Sequence, residues 1–226
     1  MSRHWERQLD GLRRVMLTMG SMVESQVEAA LLSASEMDRE TAQRVLDSDD
    51  QIDVLDIEVE EESLQAIALF QPVASDLRSI AATMAVAHEL ERIGDLAVNI
   101  AACVLRILDQ ERRAEMPESL RQAHTHASAM LREGLDAFIE RDAQRSRQLI
   151  ETDAIVDELH HSIFDWLKQG VAERPEDFGW MIEMTSISRH VERIADHVTN
   201  IAEIVIYLVE GDIVRHRSHT TPREDG

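Results

Sequence analysis

Glu91, Asp95 and Asn99 stand four residues apart, and Glu192, Asp196 and Asn200 repeat the set 101 residues later. At about 100° per residue, placing Glu91 at zero sets Asp95 near 40° and Asn99 near 80°. Ile93, Ala97, Ile100 and Val104 gather near 200° on the same wheel, so the oxygen-bearing stripe points away from the apolar seam. Each set is preceded by a second acidic pair at i, i+4: Asp49 with Asp53, and Asp153 with Asp157. Like charges so spaced cost a helix roughly 0.2–0.5 kcal/mol per pair, and a cation relieves that cost. Carboxylate and amide oxygens converging from two adjacent helices suit hard divalent or trivalent ions, magnesium, manganese or iron rather than zinc, which is not excluded. The candidate metal ligands are therefore Asp49, Asp53, Glu91, Asp95 and Asn99 in one half and Asp153, Asp157, Glu192, Asp196 and Asn200 in the other. His160 and His161 follow Asp157 by one turn and offer nitrogen only to the second set; His197, beside Asp196, is less well aimed.

The same pattern has plainer explanations. An acidic stripe on an outer helical face is ordinarily a solvated surface, and Arg92 and Arg193 stand at i, i+3 to neutralise Asp95 and Asp196. A purely structural coiled-coil dimer needs no metal at all. Catalytic motifs are missing: there is no phosphate-binding loop, nucleophile elbow or HExxH pair, and Lys168 is the single lysine. One enzyme-like alternative is a metal-buffering or di-iron carboxylate bundle, but Glu158-Leu159-His160 has no histidine counterpart in the first half. Forty-four acidic against 23 basic residues give a formal charge of -21, which repels phosphate backbones and anionic lipid and argues against nucleic acid or membrane insertion. Cys103, the sole cysteine, sits beside Val104 and Leu105 and reads as a small buried hydrophobe. Trp5, Trp166 and Trp180 are expected in core or dimer packing rather than around a cofactor.

The elements that must carry these residues are helices. Only 4% of the 226 residues are aromatic, with 8 Gly and 4 Pro, too little turn chemistry for a sheet protein. Residues 91–101 match 192–202 at seven of eleven positions, and Leu46, Asp49 and Asp53 pair with Ile150, Asp153 and Asp157 at a shift of 104. The chain is thus read as a tandem duplication, two antiparallel three-helix bundles, with repeats at 1–112 and 113–214 and a disordered tail at 215–226. Leu9, Leu12, Met16, Met19, Val23, Val27 and Leu31 mark the first helix; a second runs from an Asp38 cap through Leu69 and stops before Pro72. The third carries Leu90, Ile93, Ala97, Ile100, Val104 and Ile107, echoed by Val191, Ile194, Val198, Ile201, Val205 and Leu208. Pro117 opens the fourth, Glu140-Arg141-Asp142 turns into the fifth, and Pro175 opens the sixth. The charged N-terminus resembles no secretory leader and Ile204 to Val209 is too short an apolar run to span a bilayer, so a soluble cytoplasmic protein is expected.

Two signatures make the chain resemble a known family. Gln71-Pro72-Val73-Ala74-Ser75-Asp76-Leu77-Arg78-Ser79-Ile80, followed by Glu91-Arg92-Ile93-Gly94-Asp95 and its second-half echo, resembles the PhoU family of phosphate-signalling proteins. The likeness covers roughly residues 5 to 215. It implies a cytoplasmic, commonly dimeric, non-enzymatic adaptor that restrains the phosphate-starvation response. The implied partners are the ATPase subunit of the phosphate-specific ABC transporter and a membrane sensor histidine kinase. The resemblance also implies multinuclear iron or other metal clusters held by the paired acidic motifs. The second half departs from the pattern: it has Arg174-Pro175-Glu176-Asp177-Phe178-Gly179 in place of the Gln-Pro-Val-Ala stretch, and Ala195 in place of Gly94. The two sites need not be equivalent.

Overall fold

The computed structural model describes residues 3–48, 50–110 and 115–211. Asp49, the repeat boundary at 112 and the tail 215–226 lie outside the described residues. The elements are α1 (Arg3–Glu36), α2 (Arg39–Asp47), α3 (Asp50–Phe70), α4 (Ser75–Leu108), α5 (Glu118–Glu140), α6 (Ala143–Glu173), a 3-10 turn (Pro175–Asp177) and α7 (Phe178–Glu210). The segment from Asp38 to Leu69, expected as one helix, is interrupted at Ser48. There the Ser48 amide and hydroxyl both donate to the Val45 carbonyl, at 3.2 and 2.9 Å, an i−3 bond that ends the i−4 ladder.

Helix ends follow local chemistry. Asp38 accepts the Glu40 amide at 2.9 Å and caps α2, and Asp142 accepts the amides of Gln144 and Arg145, each at 2.9 Å, and caps α6. Arg141 takes φ 54° and closes α5, with the Asp142 amide donating to the Ala137 carbonyl at 2.9 Å. Gly211 closes α7 at φ 80°, a conformation that glycine adopts without strain. The α3–α4 turn is different: Gln71 (φ 46°) and Ala74 (φ 47°) hold left-handed backbone around Pro72 and Val73 without glycine.

α4 and α7 pack antiparallel as the central pair, in a register fixed by contacts of Glu89 with His197 and of Arg106 with Glu183. Helices α1, α2 and α3 lie against α4, while α5 and α6 lie against α7. The two seams read from the sequence, Leu90 to Ile107 and Val191 to Leu208, are buried along their whole length. They meet each other as well as their own bundle, so one continuous apolar core joins the repeats. Cys103 is a free, buried thiol within it. A satellite of Trp5, Ala66 and Ile80 seals one end, with Trp5 edge-on to Phe70 at 5.4 Å. Trp180 is buried and packs edge-on against Trp166 at 5.5 Å.

Candidate metal centre

α3 and α4 present their acidic stripes to one another. Asp53, Glu91 and Asp95 bring ligand oxygens within 4.8 Å of one another, and they are the one such set of three among the described residues. Glu91 is half-buried, its Oε2 is sealed from solvent, and that atom accepts no hydrogen bond. Arg92 lies close, with Nε 3.3 Å from Glu91 Oε2 and Nη1 3.6 Å from Asp95 Oδ2, so the neutralising role expected of it operates in part. Burial raises the Glu91 carboxyl above its ordinary range, and the negative field of Asp95 adds to this. A sealed carboxylate oxygen that accepts no hydrogen bond, facing two more carboxylates, is an all-oxygen seat that fits a hard cation. Asn99 lies exposed one turn beyond on the same helix.

The second set faces across α6 and α7. Asp153 is pushed up to about 6, first by burial and then by the fields of Asp157, Asp196 and Glu192. Glu192 and Asp196 are raised by burial too, each within the field of Asp157. The four carboxylates therefore share one electrostatic neighbourhood, but their oxygens spread wider than in the first repeat. Asn200 turns elsewhere: its Nδ2 donates to Glu89 Oε2 at 3.1 Å, across on α4. His197 Nδ1 meets the same oxygen at 2.7 Å. Burial alone would raise Glu89, but the hydrogen bonds from His197 and Asn200 prevail and hold it below its usual range. His160 pairs through Nδ1 with Ser188 Oγ at 2.8 Å, and His161 Nδ1 donates to the Asp157 carbonyl at 2.7 Å.

Two carboxylates that border these sets were not singled out from the sequence. Asp56, one turn after Asp53, is half-buried, and its carboxyl is raised by burial. Its i, i+3 spacing from Asp53 was the available signal. Glu89 carried none, because its role depends on the pairing of α4 with α7. A cleft of about 510 Å³ between α1, α4 and α5 is lined by Leu12, Met16, Leu135 and Phe138, among others, and contains none of these carboxylates.

The PhoU domain family matches this chain twice, at residues 16–104 and 120–205. A phosphate-specific transport system accessory protein PhoU homolog from Burkholderia sp is 32% identical over 220 residues, covering 96% of this chain and 94% of that protein. The crystal structure of PhoU from Pseudomonas aeruginosa superposes with a TM-score of 0.88 at 33% identity, covering 92% of this chain and all of that one. The phosphate transport system regulatory protein PhoU from Streptococcus pneumoniae gives a TM-score of 0.86 at 28% identity, covering 93% and 99%. Two matched domains on one duplicated helical scaffold, aligned end to end with these relatives, place the chain in the PhoU family.

Proposed function

We propose that the protein is a phosphate-transport accessory protein that restrains the phosphate-starvation response. It works in the cytoplasm as a homodimeric adaptor between the ATPase subunit of the phosphate-specific transporter and a membrane sensor histidine kinase. The observation that carries this reading is the full-length match of both domains to phosphate transport accessory and regulatory proteins. No helix among the described residues is long and apolar enough to cross a membrane, which accords with action through bound partners. The role is contact rather than turnover.

Hard cations, iron clusters among them, belong to the same proposal. Asp53, Glu91 and Asp95 would hold one site, with Asn99 at its margin and Asp49 as a further ligand expected from the sequence spacing alone; Asp153, Asp157, Glu192 and Asp196 would hold the other, with Asn200 released from Glu89 to join it. Support comes from the convergence of the first three and from the sealed Oε2 of Glu91, which accepts no hydrogen bond and has only the Arg92 guanidinium, at 3.3 Å, for a counter-charge. Bound ions would neutralise the acidic faces and lock α3 to α4 and α6 to α7.

The test uses a deletion strain with a phosphate-regulated reporter, complemented by the wild type or by Glu91→Gln/Asp95→Asn. Deletion should derepress the reporter in high phosphate and the wild type should silence it; unchanged expression on deletion sinks the regulatory reading. Elemental analysis of tag-free protein should show the variant losing about half of its metal, one of two sites. Equal metal in both proteins removes the first site.

A further inference from the structure

The outer face of α3 is apolar where a solvated helix should be polar. Val54, Ile57 and Leu64 are 61%, 56% and 51% exposed. With Ala68 they fall within a sector of about 80°, opposite the buried Ile52, Val59 and Ala66. The exposed apolar surface continues at Leu69 and Val73 toward the α3–α4 turn.

The duplication supplies an internal control. At the 104-residue shift, Ile52, Val59 and Ala66 correspond to Val156, Ile163 and Gly170, all buried, so the register holds through both helices. On the outward side Val54, Ile57 and Leu64 correspond to Glu158, His161 and Lys168. The same scaffold position tolerates charge, so bundle packing does not require apolar residues there. Three apolar side chains left in water on one repeat alone mark a surface that is covered by something else.

Charge selects the occupant. Residues 50–70 contain no Lys or Arg; Asp50, at the start of the helix, and Glu61 lie inside the apolar sector, Glu58 borders one edge, and Asp53 and Glu60 border the other. A second copy would set its own glutamates against these, and anionic lipid meets the same repulsion. We propose that this face of α3 docks an amphipathic helix of a protein partner, one whose apolar side is flanked by Lys and Arg. The spacing of Val54, Ile57 and Leu64, at i, i+3 and i+10, suits helix-on-helix contact over about 15 Å. The proposal rests on the adaptor reading above and supplies the chemistry of one partner.

The probe is a fluorescein-labelled 18-residue Leu/Lys peptide in helical register, compared by anisotropy with a scrambled peptide of identical composition. The test variant, Val54→Glu/Ile57→His/Leu64→Lys, transplants the residues of α6 and leaves the formal charge unchanged, so general attraction for a cationic peptide stays constant. The wild type should prefer the registered peptide at least tenfold, and the triple variant should lose that preference. Ile57→Gln alone should weaken it about threefold. A triple variant that keeps the tenfold preference, or a wild type that shows none, overturns the proposal. So does sedimentation showing that the triple substitution turns a dimer into a monomer, which assigns the face to self-association. None of these failures touches the reporter phenotype that tests the adaptor reading.

Discussion

Asp153, a ligand in the proposed second site, is held ionised at neutral pH at the expense of fold stability. Its folded carboxyl titrates at about 6, whereas in the unfolded chain it titrates at about 3.9. Between those values the native state binds the extra proton, so the contribution of this group to stability is most favourable at low pH and is lost as pH rises through 6. At pH 7.5 the ionised Asp153 is therefore a net destabiliser of the metal-free protein. Asp153→Asn should raise the metal-free unfolding midpoint at pH 7.5 by about 2–4 °C, on the order of 1 kcal/mol once solvent screening is allowed for. Thermal melts at pH 7.5 and about 3.5 check this, because near full protonation the gap between the two proteins should close. A variant that is no more stable than the wild type at pH 7.5 contradicts the electrostatic account. Metal should act oppositely, with binding weakening below pH 6 as protons compete for the same oxygens.

At the scale of elements, the site depends on how closely the helices approach. Gly134 of α5 faces α7, where a methyl group would stand 2.9 Å from Val198 Cγ1. A β-branched side chain in a helix has one strongly favoured rotamer and cannot swing away cheaply. Gly134→Ala gains helix propensity of about 1 kcal/mol but overpacks the interface by about 1–3 kcal/mol. The expected result is a urea midpoint shifted downward, and a rise would show that α5 can slide outward freely. Gly94 is subtler. A methyl there would meet Ile52 Cδ1 at 3.0 Å and Gln26 Oε1 at 3.3 Å, so this glycine lets α4 approach α3 beside Asp53 and Asp95. Ala195 fills the matching position in the second repeat, where the carboxylates also spread wider.

For the whole molecule, a charge of -21 on a scaffold with one continuous core means that repulsion is spread along both bundles. The ion pairs that offset it are mostly exposed, such as Arg132 with Glu24 at 2.9 Å and Lys168 with Asp165 at 3.0 Å, and each contributes little. Raising sodium chloride from about 0.05 to 0.5 M should therefore stabilise the metal-free protein, because the Debye length shrinks to about 4 Å and screens repulsion between carboxylates farther apart than that. Metal-loaded protein should respond less, since its stripes are already neutralised. Parallel melts of the two forms measure the difference, and equal salt responses would argue against cations on the acidic faces.

The sequence by itself determined the all-helical class, the duplication, the two buried seams and the acidic stripes, because helical periodicity and capping are local properties written in residue spacing. The Asp38 cap and the turn at Glu140-Arg141-Asp142 were legible for the same reason. The tertiary structure decided the rest. The repeats share one core because α4 and α7 pair with each other, and Glu89 meets His197 and Asn200 only through that antiparallel register. The break at Ser48 was hidden, since the hydroxyl's bond to Val45 leaves no mark on the apolar pattern. Most consequentially, spacing repeated the same acidic set in both halves, and the departures of the second half left open how the two would differ. Packing made them unequal: three oxygens converge between α3 and α4, whereas Asn200 turns away from the second set, because side-chain direction answers to neighbouring helices and not to sequence offset.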